Sequence, residues 1–132
     1  MGKIVRSISE DATVVATVFD AKDVVGEIEK IHSPSAVVTA ALGRLSIAAS
    51  LIGIGLKNND DTVTVRMNGN GPCGTLIAVA DSRGNVKSYV GNPIVEIPLN
   101  QYGKLDVKGA VGTDGTLTII KDLGLREPYT GQ

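Results

Sequence analysis

The sequence predicts an α+β fold, in which antiparallel or mixed β-sheets pack around a long apolar helix that follows an amphipathic helix. Three observations lead to this prediction. The longest apolar run, residues 35–56, carries Arg44 as its single charge. A shorter stretch before it has helical hydrophobic spacing, and most of the remaining chain has the composition of β-strands. Strands, then two helices, then further strands are typical of an α+β domain.

The amino-terminal part predicts a β-hairpin followed by the amphipathic helix. Residues 3–9 and 13–19 have strand-like patterns, and the Glu10-Asp11-Ala12 segment between them reads as a turn. The hydrophobic period then changes to that of a helix over residues 21–32, with Asp20 as a possible cap. The apolar positions of this helix are Val24, Val25, Ile28 and Ile31.

The apolar run at 35–56 predicts a helix because it is long and rich in Ala and Leu. The preceding Ser33-Pro34 pair reads as a cap and a first-turn proline. A helix that is apolar on nearly every side either spans a membrane or forms the buried centre of a fold. Arg44 lies near its middle, where a charge is costly in lipid, so we predict a core helix and no membrane partner.

The carboxy-terminal half predicts mainly strands. Pro93 and Pro98 bracket a predicted edge strand, and the tail from Asp122 onward is predicted to be a loop. The predicted strands of this half cover residues 62–67, 75–80, 86–90, 94–97, 104–107 and 116–121.

Composition predicts one domain, residues 1–132, with a real hydrophobic core. The formal net charge is -1 and aromatic residues make up only 3% of the chain, which argues against a nucleic-acid partner. The first residues contain no apolar signal segment, and the single cysteine, Cys73, cannot form an internal disulfide. We therefore expect a cytoplasmic protein.

A glycine-rich loop matches the dinucleotide-binding pattern G-x-G-x-x-G and follows a predicted strand. Such a site needs a helix to begin in the loop, because the helix N-terminus holds the pyrophosphate. A strand-like segment follows instead, and the proline in the loop removes one amide donor. We interpret the loop as a turn or bulge, with a small-molecule or nucleotide-binding enzyme domain as the alternative. Its residues are Gly69, Asn70, Gly71, Pro72, Cys73 and Gly74.

Three single residues are candidates for chemistry, and we expect structural roles for all of them. Cys73 needs a base to act as a nucleophile, and His32, the only histidine, lies elsewhere in the chain. Arg44 in the core helix is expected to be a buried anchor paired with Asp106, Glu96 or backbone carbonyls. We therefore predict no enzyme and no catalytic, cofactor-binding or metal-binding residues.

Many short motifs, in order along the whole chain, resemble the thirty-three-kilodalton redox-regulated chaperonin family. They begin with His32 and Leu42-Gly43-Arg44 and end with Lys121-Asp122-Leu123-Gly124-Leu125. Between them lie Gly69-Asn70-Gly71-Pro72, Gly84-Asn85-Val86, Tyr89-Val90, Asn92-Pro93, Pro98-Leu99-Asn100, Gly103-Lys104-Leu105-Asp106-Val107, Ala110-Val111-Gly112 and Gly115-Thr116-Leu117.

The resemblance implies a bacterial holdase that binds unfolded proteins under oxidative stress without catalysis. It also implies an N-terminal domain with sheets packed on a long apolar helix, and a C-terminal module whose cysteine pairs hold zinc and act as a redox switch. Residues 1–132 contain neither pair, because Cys73, in the glycine turn, is their only cysteine. We therefore expect a truncated domain that binds unfolded clients, needs no zinc, and self-associates, as a dimer for example, through unpaired sheet edges.

Overall fold

The computed structural model describes residues 2–132 and has the α+β architecture that the sequence predicts. Its helices are α1 (Lys22–His32), α2 (Ala36–Gly53) and a short α3 (Val107–Val111). Its strands are β1 (Lys3–Ile8), β2 (Val15–Asp20), β3 (Thr62–Asn70), β4 (Leu76–Asp81), β5 (Val86–Val90), β6 (Gly112–Asp122) and β7 (Tyr129–Gly131).

The strands form two sheets, and every strand pairing in the described residues is antiparallel. β1 and β2 form a two-stranded sheet by themselves, while the other five strands lie in the order β5-β4-β3-β6-β7. Alternation in β3 sets the two faces of the larger sheet: Val63 and Val65 are buried, whereas Arg66 is exposed. One face of this sheet therefore bears the core.

The core forms where α2 lies on that face of the sheet. Val38, Leu42 and Ala49 of α2 are fully buried in one hydrophobic cluster with residues of β3, β4 and β5. A side-chain carbon at Gly53 would lie 3.1 Å from Ala80 Cβ, so glycine permits a close approach of helix and sheet. Complete burial of a side chain such as Leu42 contributes about 1.5–3 kcal/mol.

The prediction that α2 is a core helix agrees with its burial. By length and composition it is the one helix among residues 2–132 that could cross a membrane, but 56% of its residues are buried inside the protein. Its residues Ser46 and Ser50 are also fully buried. Such burial is characteristic of a helix at the centre of a domain.

The expectation for Arg44 is wrong, because its side chain is exposed on the open side of α2.

The predicted N-cap of α2 is also misplaced. Ser33 adopts a left-handed conformation at the end of α1, and the N-cap of α2 is Ser35. The Ser35 hydroxyl donates to Pro93 O at 3.3 Å and accepts from Val95 N at 3.1 Å.

Three local predictions in the carboxy-terminal half are also wrong. Residues 94–97 form no strand, since Val95 N bonds to the Ser35 hydroxyl and not to a neighbouring strand. The predicted strand 104–107 is a loop leading into α3, where the Asp106 carboxylate accepts the Gly109 N–H at 3.0 Å. The tail, predicted as a loop, contains β7, which pairs with β6.

Candidate binding surface and the glycine loop

The glycine-rich loop 69–74 begins at the end of β3 and crosses the junction of α3 and β6. Its amides are engaged by this crossing: Gly71 N donates to Val111 O and Cys73 N to Ala110 O, both at 3.0 Å, and Gly74 N donates to Gly71 O at 3.1 Å. These amides would have to face the phosphates in a nucleotide site. The loop instead uses two of these amides to bond to α3 and the third to close its own turn.

The glycines of the loop are explained by close backbone contact. A side-chain carbon at Gly69 would lie 2.6 Å from the carbonyl oxygens of Val111 and Gly112. Gly112 has φ +91°, and a side-chain carbon there would lie even closer to the carbonyl oxygen of Gly69. Any larger residue at these positions would force two backbone segments apart.

The surroundings of the loop give no support to nucleotide binding. A groove of about 620 Å³ beside it is lined by Asp106 and Asp114, with Lys108 as the single cation. These carboxylates would repel phosphate. The chain after the loop enters β4, so no helix begins there. The interpretation of the loop as a turn therefore fits the structure, whereas the nucleotide alternative lacks an anion site.

Cys73 and His32 form hydrogen bonds in different parts of the structure. Cys73 is buried, and burial raises the pKa of its thiol, which disfavours the nucleophilic thiolate. Its thiol donates to Gly74 O, with Sγ 3.7 Å from that oxygen. His32 Nε2 lies 2.9 Å from Ser88 O, on the outer strand β5. Among residues 2–132, no group of three or more His, Cys, Asp or Glu is placed to hold a metal ion.

A group of exposed aliphatic side chains lies on the β1–β2 hairpin. Val5 and Val18 are paired across its strands and are 53% and 67% exposed, so they form a small apolar patch on one face. Ile8 and Val15, a second cross-strand pair near the turn, are also exposed but lie on the opposite face, and Val14 lies just before β2. We refer to Val5, Ile8, Val14, Val15 and Val18 together as the hairpin patch.

Sequence reasoning missed the hairpin patch, although a signal for it exists. Neighbouring residues of a strand point to opposite faces, so an apolar pair places one apolar side chain on each face. The pairs Ile4-Val5 and Val18-Phe19 are of this kind. Ile4 and Phe19 face the protein body, which leaves Val5 and Val18 on the outer face.

Strand edges and a second sheet face are also open in the described residues. β5 and β7 are the edge strands of the larger sheet, and each hairpin strand has a neighbour on one side only. The sheet face opposite α2 carries Val79 and Tyr89, both exposed, together with Arg66 and Lys87. Open edges and apolar side chains are the features that recruit other polypeptides.

Comparison with known proteins identifies relatives along the whole chain. The 33 kDa chaperonin of Clostridioides difficile (strain 630) is 48% identical over 128 residues, which are 97% of this chain and 44% of the relative. That of Bacillus subtilis (strain 168) is 45% identical over 132 residues, 100% of this chain and 45% of the relative. The chain thus spans less than half the length of these relatives.

A solved structure shows the same fold. The crystal structure of the 33 kDa chaperonin (heat shock protein 33 homolog) from Thermotoga maritima matches with a TM-score of 0.91 and 37% sequence identity. The match covers 98% of this chain and 44% of that one. The family model described as Hsp33 protein matches residues 2–132. The chain therefore belongs to the Hsp33 family, as its sequence motifs predict.

Proposed function

We propose that residues 1–132 form a chaperone domain of the holdase type, which binds unfolded polypeptides in the cytoplasm during stress and catalyses no reaction. The observation that carries this proposal is the hairpin patch. Unfolded proteins expose apolar side chains of varied sequence, and burial of apolar surface is favourable without specific chemistry. A patch made of several aliphatic side chains therefore suits partners that share hydrophobicity and little else.

The open strand edges support the same proposal. An extended segment of a client can add to an exposed edge through main-chain hydrogen bonds, which do not depend on its sequence. The hairpin has such edges next to its apolar patch. Backbone pairing and apolar contact could thus act together on one client segment.

The same edges support self-association of the chain. A two-stranded sheet is marginally stable by itself, and pairing with a second copy would complete it. We expect dimers or larger assemblies in sedimentation experiments. A monomeric sedimentation profile with a cooperative melt would contradict this part of the proposal.

We also propose that client binding by residues 1–132 needs neither zinc nor oxidant. Cys73 is their only cysteine, and it is buried in the glycine loop. Suppression of client aggregation should therefore be the same with reductant, oxidant or a metal chelator. A clear dependence on any of the three would contradict this expectation.

The main experiment measures light scattering from a thermally unfolding enzyme in the presence of the chain. Val5→Thr/Val18→Thr keeps the size and β-propensity of both side chains but places a hydroxyl on each, so we expect weaker suppression of aggregation. Val79→Thr makes the same change at a residue that is 37% exposed on the larger sheet. Suppression should persist in this control.

Two results would count against the hairpin patch as the client site. Undiminished suppression by the double variant would separate the patch from client binding. An equal loss in the Val79→Thr control would indicate a general effect of surface hydrophobicity. Circular dichroism of each variant establishes that the fold is retained.

A further inference from the structure

The β1–β2 hairpin is held to the rest of the protein by few contacts. No residue from 2 to 20 is buried: Ile4, Ser9, Thr17 and Phe19 are half-buried, and the others are exposed. The hydrophobic core cluster includes none of these residues, although β2 passes close to α2. The core would therefore stay intact if the hairpin moved away.

The hydrogen bonds of the hairpin are internal to it. Its strands pair with each other along their whole length, and further bonds among residues 9–14 close the turn. Among the described residues, no hydrogen bond joins residues 3–19 to a segment outside the hairpin. Side-chain packing is therefore what holds this part of the chain against the body of the protein.

That packing is formed at the base of the hairpin, and it is loose. Ile4 and Phe19 are paired across the strands and line a cleft of about 620 Å³, whose other walls are α1 and the β4–β5 segment. Ile4 Cδ1 also approaches Gly84, where a side-chain carbon would lie 3.1 Å from it. Protein interiors contain few voids larger than a water molecule, and side chains beside a void lose attractive contacts on that side. The cleft thus marks a weak junction between hairpin and body.

The far end of the hairpin extends past the body. Ile8 and Val15 lie on the same face as Ile4 and Phe19, because side chains alternate along each strand. They are 62% and 54% exposed, and neither lines the cleft. A two-stranded sheet is marginally stable without such support. An element with few buried contacts is expected to open at a lower free energy than the core.

Release of the hairpin would expose apolar surface on both sides of the cleft. Ile4 and Phe19 would lose their cover on the hairpin, as would Val24, Ile28 and Val86 on the body. Ile28 is only 7% exposed in the closed arrangement, and Val24 and Val86 are partly buried. The released hairpin would therefore present its inner side chains in addition to the hairpin patch.

We propose that the β1–β2 hairpin is a flap that regulates client binding. Docked, it covers the apolar walls of the cleft, and released, it presents them to an apolar segment of an unfolded polypeptide. The flap turns about Ala21, which lies between β2 and α1, is 8% exposed and accepts a hydrogen bond from Val25 N. Heat favours release, because the opened segment gains conformational entropy. This inference rests on the proposed holdase function and adds to it a switch that uses neither cysteine nor metal.

Hydrogen exchange of the backbone amides of the 132-residue chain tests the opening. Amides of β1 and β2 should exchange at least about tenfold faster than those of β3 and β4. Ile4→Thr keeps a β-branched side chain but places a hydroxyl in the apolar junction, so it should speed exchange in both hairpin strands by about fivefold to tenfold. Unchanged exchange in β3 and β4 establishes that the variant is folded. Equal rates in the hairpin and in β3 and β4 of the wild type would overturn the proposal.

Ile8→Thr is the matched control for this measurement. It makes the same substitution on the same strand and the same face, at a side chain that does not line the cleft. Hairpin exchange should change by no more than about twofold. Equal acceleration by Ile4→Thr and Ile8→Thr would indicate fraying of the strands without a role for docking, and would also overturn the proposal.

Suppression of aggregation tests the regulation of client binding. Light scattering from a chemically denatured enzyme, diluted into buffer, is followed with each chain at several temperatures below the melting of the core. Wild-type suppression should increase with temperature in parallel with hairpin exchange. Ile4→Thr should reach the same suppression at a lower temperature, whereas Ile8→Thr should give no such gain.

The two readouts separate the flap from the holdase function. If Ile4→Thr speeds hairpin exchange without strengthening suppression, the flap does not regulate client binding, and this inference fails while the proposed function stands. If the wild-type chain suppresses aggregation at no temperature, the proposed function fails and this inference with it.

Discussion

The Ser50 hydroxyl of α2 donates a hydrogen bond to the Gly84 carbonyl oxygen, 2.6 Å away in the turn between β4 and β5. Ser50 is fully buried, and Gly84 has φ +84°. A side-chain carbon at Gly84 would lie 3.1 Å from Ile4 Cδ1 as well as from the Ser50 hydroxyl. The core helix, the hairpin and the β4–β5 turn therefore meet at this point.

Ser50→Ala should lower the free energy of unfolding by about 1–3 kcal/mol, because it leaves the Gly84 carbonyl without its partner in a partly buried position. Urea denaturation measures the change. Ser46→Ala is the matched control, since the Ser46 hydroxyl donates to Leu42 O of its own helix at 2.7 Å. That carbonyl keeps its place in the helical ladder, so the control should change stability by about 0.5 kcal/mol or less. Equal losses would argue against a special role for Ser50.

Gly112→Ala should destabilise the protein by at least about 2 kcal/mol, since the new methyl group meets Gly69 O and the backbone has φ +91°. Gly26→Ala should act in the opposite direction. Gly26 lies inside α1, and apart from its chain neighbours and the backbone of its own helix no atom lies within 4 Å of the place its methyl group would take, so alanine should stabilise by about 0.5–1 kcal/mol. A melting temperature below that of the wild type for Gly112→Ala, and above it for Gly26→Ala, would confirm both predictions.

The turn of the β1–β2 hairpin should loosen in acid. Hydrogen bonds from the hydroxyls of Ser9 and Thr13 and from Thr13 N lower the pKa of Asp11 from 3.8 to about 2. A lowered pKa in the folded state means that the stabilisation is present above pH 3.8 and is lost as the pH falls toward 2.

The amide resonance of Thr13, followed by NMR during acid titration, should report this change before the core unfolds. Asp11→Asn keeps an acceptor but cannot titrate, so its Thr13 resonance should not shift over the same range. A similar shift in this variant would assign the effect to another group.

Arg44→Ala should change the free energy of unfolding by no more than about 0.5 kcal/mol, because the side chain is exposed and alanine favours helix. A buried, paired guanidinium would give a far larger loss. Urea denaturation thus distinguishes the observed position of Arg44 from the buried anchor that the sequence predicts.

The sequence was sufficient where a local pattern determines a local structure. Alternation and a turn segment predict β1 and β2, helical spacing predicts α1, and apolar composition predicts α2 close to its observed bounds. It was insufficient for α3: the cap at Asp106 is local, but the hydrogen bonds that hold α3 against the glycine loop join residues far apart in the chain. Propensity is a weak guide to so short a segment.

For this protein the sequence by itself determined the fold class, the order of most elements and, through its ordered motifs, the family. Only the tertiary structure decided which side of α2 is open, why Gly69 faces Gly112, and where apolar side chains reach the surface. The physical reason is that an apolar residue contributes to the core or to a binding surface according to what packs against it. Those partners come from distant segments, and their positions follow from the folded backbone.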